Sequence, residues 1–322
     1  MDKKVTVIGA GNVGATCAHR IWQRDCADVV MVDIVEGPPK GKSADFMHSG
    51  SIVRTNASIM GTTDYADTAN SDVVVIAVRG KPPEGDPNAP RNPKLTGRAS
   101  GIVNNRDALT EVSKKALQYS PDCVMVVVTN PVDVMAYLVH KVTDLPKNRV
   151  MGMAGVLDTS RLKSYVAAEL NVSPNDVNAC ILGEHGGSMV PIPRLTTVGV
   201  VPITDLLPAE KIAEMMEHAV RAAGDVTKYI RPLTPYYAPA TAAAHMAEAI
   251  VRDSKCVLPV SAYLEGEYGV NGIFLGTPAV IGAGGVERVL EIKLTAEEDA
   301  SMKASAQSVQ GLVDALEELL KS

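Results

Sequence analysis

Aromatic side chains are scarce in this chain of 322 residues: they make up 4% of it, with Phe 2, Trp 1 and Tyr 9. A sizeable core must therefore be built from aliphatic side chains and methionine rather than from packed rings. No run of Lys or Arg occurs and the formal net charge is −6, so the electrostatic footprint for a phosphate backbone is missing and no nucleic-acid partner is expected. No apolar stretch is long enough to span a bilayer, which leaves no membrane role. The five cysteines, Cys17, Cys26, Cys123, Cys180 and Cys256, contain no C-x-x-C pair and are odd in number. That argues for free structural thiols rather than disulfides or metal ligands, so no metal is expected. No charged leader precedes the first strand-like run at Val5, and the chain reads as cytoplasmic.

What is present is the composition of a globular protein, 46% hydrophobic and 21% charged, at a length that suits two domains. Short β-branched runs at 5–8, 29–33, 73–78 and 124–129 alternate with helical patterns at 12–24, 99–119 and 132–142. Parallel strands need such crossovers, so the first half reads as α/β, a Rossmann-type doubly wound parallel sheet. Near Leu145-Pro146 the pattern changes: 180–203 and 272–292 alternate apolar and polar residues between Gly and Pro breaks, as antiparallel strands do. Helical patterns at 208–230, 240–253 and 295–320 surround them. The expected organisation is a dinucleotide-binding domain over 1–145 and an α+β substrate domain over 146–322. The proline-rich stretch 81–93 must be a loop.

Gly9-Ala10-Gly11-Asn12-Val13-Gly14 follows the first strand and opens the first helix. Gly9 permits a tight turn, Gly11 lets the main chain approach a pyrophosphate at the helix N-terminus, and Gly14 lets helix and strand pack closely. A glycine turn alone is a weak sign. Asp33, about twenty residues further on at the end of the second strand, strengthens it, because an acid there accepts from both ribose hydroxyls. Its charge would repel a 2′-phosphate, and Ile34 and Val35 offer no compensating Arg, so NAD is favoured over NADP.

Three further clusters carry chemistry. In Leu182-Gly183-Glu184-His185-Gly186-Gly187-Ser188-Met189-Val190-Pro191 a histidine, the proton carrier of neutral pH, stands between glycines. His19, His48, His140, His218 and His245 lack any such setting and read as structural. In Gly155-Val156-Leu157-Asp158-Thr159-Ser160-Arg161 the acid and the guanidinium share one helix face. Arg161 can grip a carboxylate through paired hydrogen bonds, and Asp158 can orient His185. An ordinary surface ion pair is the alternative, and without the histidine it would be preferred. Thr129-Asn130-Pro131-Val132-Asp133 follows a buried strand at the carboxyl edge of the sheet, where ligands bind. Asn130 there can serve substrate or nicotinamide ribose, or equally act as a helix N-cap.

These motifs, in this order, resemble the lactate and malate dehydrogenase family, more closely the malate dehydrogenases of the lactate-dehydrogenase-like type, from Val5 to the C-terminal helix. The resemblance implies NAD as cofactor, a small 2-hydroxy or 2-oxo acid as substrate, and assembly as a homodimer or homotetramer; the apolar face of 212–223 would tolerate burial at such an interface. It implies His185 as acid/base, Asp158 as its partner, Arg161 as anchor of the 1-carboxylate, and Asn12, Val13, Asn105, Val128 and Asn130 among the cofactor contacts. The family's mobile loop carries an Arg for the distal carboxylate and another that polarises the carbonyl. Pro90-Arg91-Asn92-Pro93 and Arg98 match those places and make Arg91 and Arg98 substrate residues. The loop departs from the family: it is longer between Gly80 and Arg98, Lys94-Leu95 replaces the usual Gly-Met, and Arg79 stands where a small residue is usual. Arg79, Lys81 or Lys94 are therefore alternatives for the distal carboxylate, and lactate or a larger 2-hydroxy acid is the alternative substrate. An NAD-requiring glycosidase shares the fold, but Thr129-Asn130 stands where its Cys-Asn motif belongs. An idle NAD-binding protein is the third reading, against which the intact His185, Asp158, Arg161 and Arg98 argue.

Overall fold

The structure, a computed structural model, describes residues 1–80 and 98–321. Its strands are β1 (Lys4–Ile8), β2 (Asp28–Val32), β3 (Ile59–Thr62), β4 (Val73–Ile76), β5 (Val124–Val127), β6 (Val150–Gly152), β7 (Val177–Asn178), β8 (Ile181–Gly183), β9 (Met189–Pro191), β10 (Thr197–Val198), β11 (Val201–Pro202), β12 (Cys256–Glu265), β13 (Asn271–Gly282) and β14 (Gly285–Val289). Its helices are α1 (Asn12–Gln23), α2 (Gly37–Val53), α3 (Arg98–Tyr119), α4 (Val132–Thr143), α5 (Gly155–Leu170), α6 (Ile203–Leu206), α7 (Ala209–Ile230), α8 (Tyr237–Val251) and α9 (Ala296–Lys321).

β3-β2-β1-β4-β5-β6 run parallel, and the same sheet continues through antiparallel β12, β13, β8 and β9, with β14 beside β13. The class is thus α/β, as the periodicities predict, and the antiparallel strands expected in a second domain continue the same sheet. The central strands spell Val and Ile on both faces because helices cover both. Val5 pairs with Val29 on one side and Val73 on the other, and all three are buried. α1 and α8 close one face, where Trp22 is 1% exposed and donates from Nε1 to the Ala57 carbonyl at 2.8 Å. Truncating such a ring to Ala typically costs about 3–5 kcal/mol. α3, α4 and α9 close the other face.

The apolar face at 212–223 is a correction to expectation. Ile212, Met215, Met216 and Ala219 pack inside this chain against Leu162, Val166 and Ala167 of α5, so that face is not available to a second subunit. All five cysteines are free, and burial pushes the thiols of Cys17 and Cys123 up to about 12, which suits packed, unreactive sulfur.

Candidate active site

The glycine turn takes the geometry its sequence requires. Gly9 has φ +102°, and a Cβ on it would stand 2.6 Å from the Ala77 carbonyl oxygen. A Cβ on Gly14 would stand 1.7 Å from the Gly9 oxygen, so only glycine lets α1 start this close to β1. At Gly11 an added Cβ meets nothing within 4 Å: the main chain is open there to a ligand at the α1 N-terminus. Asn12 opens that helix, exposed to solvent. Asp33, just past β2, accepts the Ala10 N–H with Oδ2 at 2.6 Å and the Val35 N–H with Oδ1 at 3.1 Å, which fixes its carboxylate beside the turn. Lys42 of α2 donates to the Ala10 carbonyl at 2.6 Å, a brace on the turn that sequence reasoning missed. These features fit a dinucleotide.

Past the turn, at the carboxyl ends of β4 and β5, a cavity of about 590 Å³ is lined by Val13, Val128, Asn130, Met153 and Leu157 and by residues of α7 and the segment before α8. A second cavity of about 480 Å³ adjoins it, and Arg79, Asn105, Asn130, Arg161 and His185 line both. Asn105 is a strut: its Oδ1 accepts the Gly80 N–H and its Nδ2 donates to the Asn130 carbonyl, both at 2.8 Å. Thr129 donates to the Val78 carbonyl at 2.7 Å. The N-cap of α4 is Pro131, so Asn130 does not cap the helix and its place is at the cavities.

His185 stands in the loop between β8 and β9. Its Nδ1 lies 2.7 Å from Asp158 Oδ2, while Arg161 Nη1 donates to Asp158 Oδ1 at 2.9 Å. Asp158 is 2% exposed, so the surface ion-pair reading of Asp158 and Arg161 does not hold. Burial is the largest influence on the His185 imidazole and pulls its pKa down. The charge and hydrogen bond of Asp158 and the charge of Asp133, against Arg161, outweigh it, and the pKa rises above the ordinary histidine value. With Nδ1 held by the carboxylate, Nε2 is the ring atom that can meet a substrate oxygen.

The loop is held on its main chain. The Glu184 N–H donates to Ser305 Oγ of α9 at 2.7 Å, Ser188 donates to the Glu184 carboxylate, and the His185 N–H donates to Asp133 Oδ2 of α4 at 2.9 Å. Asp133 stood inside a motif quoted from the sequence, yet nothing local assigned it a partner. Also missed were Thr227, Arg231 and Thr234 along the larger cavity; the small-residue run Ala222-Ala223-Gly224 was the available signal, and a Cβ on Gly224 meets nothing within 4 Å. Arg91, Lys81 and Lys94 lie outside the described residues; Arg98 opens α3, with its side chain likewise outside them. Cys180 is part-buried, and burial pushes its thiol up to about 11.

A dinucleotide cleft that meets a buried imidazole, carboxylate and guanidinium at one cavity defines the class: an NAD-dependent oxidoreductase acting on the CH–OH group of a hydroxy acid. The chain belongs to the lactate/malate dehydrogenase family: residues 3–152 match the family model for its NAD binding domain, and residues 155–320 the one for its alpha/beta C-terminal domain. It is 43% identical over 319 residues to the malate dehydrogenase of Roseiflexus castenholzii, covering 99% of this chain and 100% of that one. With the malate dehydrogenase of Synechocystis it shares 44% over 311 residues, 97% of this chain and 93% of that one. Among solved structures, the malate dehydrogenase of Salinibacter ruber superposes with a TM-score of 0.91 at 43% identity, covering 99% of each chain. The lactate dehydrogenase of Cryptosporidium parvum, complexed with lactic acid and nicotinamide adenine dinucleotide, gives 0.90 at 37% identity and 98% of each. This membership decides against the glycosidase reading.

Proposed function

We propose that the chain is a malate dehydrogenase that interconverts (S)-malate and oxaloacetate with NAD, and that His185 is its proton carrier. The observation that carries this is the convergence of His185, Asp158 and Arg161 at cavities shared with the dinucleotide cleft. In the reduction direction, Arg161 clasps the 1-carboxylate of the oxo acid with a guanidinium held in place by Asp158. Protonated His185 gives its Nε2 proton to the oxygen on C2, and Asp158 stabilises the imidazolium beforehand. When bound, the nicotinamide supplies the hydride to C2, or accepts it in the oxidation direction, where neutral His185 takes the hydroxyl proton. Asn130 hydrogen-bonds substrate or nicotinamide ribose at the wall common to both cavities.

The family likeness gives the distal carboxylate to Arg91 and the carbonyl oxygen to Arg98. Arg79, which lines both cavities and has no ion-pair partner among the described residues, is the second choice for the distal carboxylate. A guanidinium left unpaired in a dry site penalises pyruvate, and that favours the dicarboxylate. The names of the relatives at 43–44% identity point the same way. Cytoplasmic location belongs to this reading, supported by the free thiols, and so does self-association, supported by exposed Met47 and Ile52 on α2. Among the described residues no helix is long and apolar enough to cross a membrane.

The test is a spectrophotometric panel of oxaloacetate, pyruvate and branched 2-oxo acids with NADH and with NADPH. Oxaloacetate with NADH should give the highest kcat/KM; a persistent preference for pyruvate or for NADPH overturns the assignment.

A further inference from the structure

Asp133 is a buried carboxylate, 2% exposed, that the mechanism above leaves without a task. It lies in the first turn of α4, yet it does not cap its own helix. Its Oδ2 accepts the His185 N–H at 2.9 Å, and its Oδ1 accepts the Ser261 hydroxyl of β12 at 2.6 Å. A packing role at such a site would be filled at less cost by an amide or an apolar side chain, because withdrawing a carboxylate from water is expensive unless its charge is answered. Neither of these partners carries a charge. Among the described residues, the charged groups acting on the His185 imidazole are Asp158 and Arg161 of α5 and Asp133 of α4; Arg79 lines the same cavities, and Glu184, in the same loop, accepts from Ser188 and Ser308.

The charges around the imidazole bear on what Asp133 does. The single negative charge of Asp158 serves both Arg161 and the imidazole, so protonating His185 beside those two alone would leave a net positive charge out of water. Asp133 adds a second negative charge beside the imidazole. We propose that Asp133 is a positioning residue for the reaction, which fixes the His185 main chain and balances the charge of the protonated imidazole. The inference rests on His185 being the proton carrier. The upward influence of Asp133 on the His185 pKa agrees with it.

The test compares Asp133→Asn with the unaltered enzyme. Asn keeps an oxygen for the His185 N–H, and the Ser261 hydroxyl can turn to accept from Nδ2, so shape is retained and charge is lost. Measured on the holoenzyme, the descending limb of kcat/KM for oxo-acid reduction should move to lower pH by about one unit, with activity near the original at acid pH and about tenfold lower at alkaline pH. KM for NADH should stay the same. A superimposable profile, or a loss of kcat uniform across pH, overturns the proposal. Ser261→Ala removes only a donor to the carboxylate and should move the limb the same way by less; if the Asn variant does not fold, an unmoved limb here overturns the proposal. A ¹³C NMR titration of the His185 imidazole separates this failure from that of the functional reading: an unaltered enzyme inactive on every oxo acid overturns the latter, while an imidazole pKa equal in both proteins overturns the former.

Discussion

The ring of His185 and the carboxylate of Asp158 meet at 2.7 Å although 27 positions separate them in the chain, and both are nearly sealed from water. In that setting the carboxylate stabilises the imidazolium more than it would in solvent. The raised pKa of His185 fixes the sign of the pH dependence. Oxo-acid reduction needs the protonated ring, so its kcat/KM should fall as pH rises through that pKa, and oxidation of the hydroxy acid should rise through the same range. Asp158→Asn keeps the shape and removes the charge. It should lower kcat for reduction by about 10²–10⁴-fold, move the limb toward acid, and raise KM for the oxo acid because Arg161 loses its anchor. Steady-state rates from pH 5 to 9 check all three, and an unchanged limb would count against Asp158 as the partner.

A second pH effect concerns stability. Burial pushes the Asp133 carboxyl up to about 6, well above the ordinary aspartate value, over the opposing Ser261 and His185 hydrogen bonds and the His185 charge. A carboxyl whose folded pKa lies above its unfolded one favours the folded state below the unfolded value, and that contribution is lost as pH rises through the folded one. At 1.36 kcal/mol per unit the loss between pH 4 and 7 is about 2 kcal/mol. Asp133→Asn escapes it. The Tm of the variant relative to the unaltered protein should therefore climb over that interval in thermal melts, and a gap independent of pH would contradict the assignment.

The glycine turn yields opposite outcomes at neighbouring positions. Gly14→Ala forces a Cβ to 1.7 Å from main-chain oxygen and should prevent stable folding. Gly11→Ala meets no protein atom within 4 Å, so Tm should hold within a few degrees while KM for NADH rises by about tenfold or more. Melting curves and NADH titrations of both variants suffice; a destabilised Gly11 variant with normal cofactor affinity would reverse the reading of that glycine.

Discrimination between substrates separates the candidate arginines. Arg91→Gln should lower kcat/KM for oxaloacetate by about 10²-fold and leave pyruvate nearly unchanged, since the lost charge pair belongs only to the larger acid. Arg79→Ala should cost oxaloacetate less than about tenfold. If the order of the two effects is inverted, Arg79 holds the distal carboxylate.

Much of this was legible in the sequence because buried parallel strands are spelled as short runs dominated by Val, Ile and Met, and because the glycine turn is fixed by local geometry. β6, β12 and α2 were not. α2 places Gly37, Pro38 and Pro39 at its start and shows no apolar stripe, so its pattern carries no helical signal; what holds it is close packing on β3, where a Cβ on Gly61 would stand 2.0 Å from the Pro39 oxygen. Thr129 to Asp133 was recognisable as a motif, but the task of Asp133 depends on Ser261, which is 128 positions away and on a strand that local patterning missed. The residues of α7 that line the larger cavity are small and chemically quiet, and only the folded chain brings them there.

The hydrogen-bonded ladder passes without interruption from β5 through β6 into β12 and β13. A clamshell motion that swung the Gly9 end away from the His185 end would have to rupture that seam, together with the packing of α1 on α8. The Gly9 turn and the His185 loop are accordingly carried on one continuous sheet, and the spacing between them is set when that sheet forms.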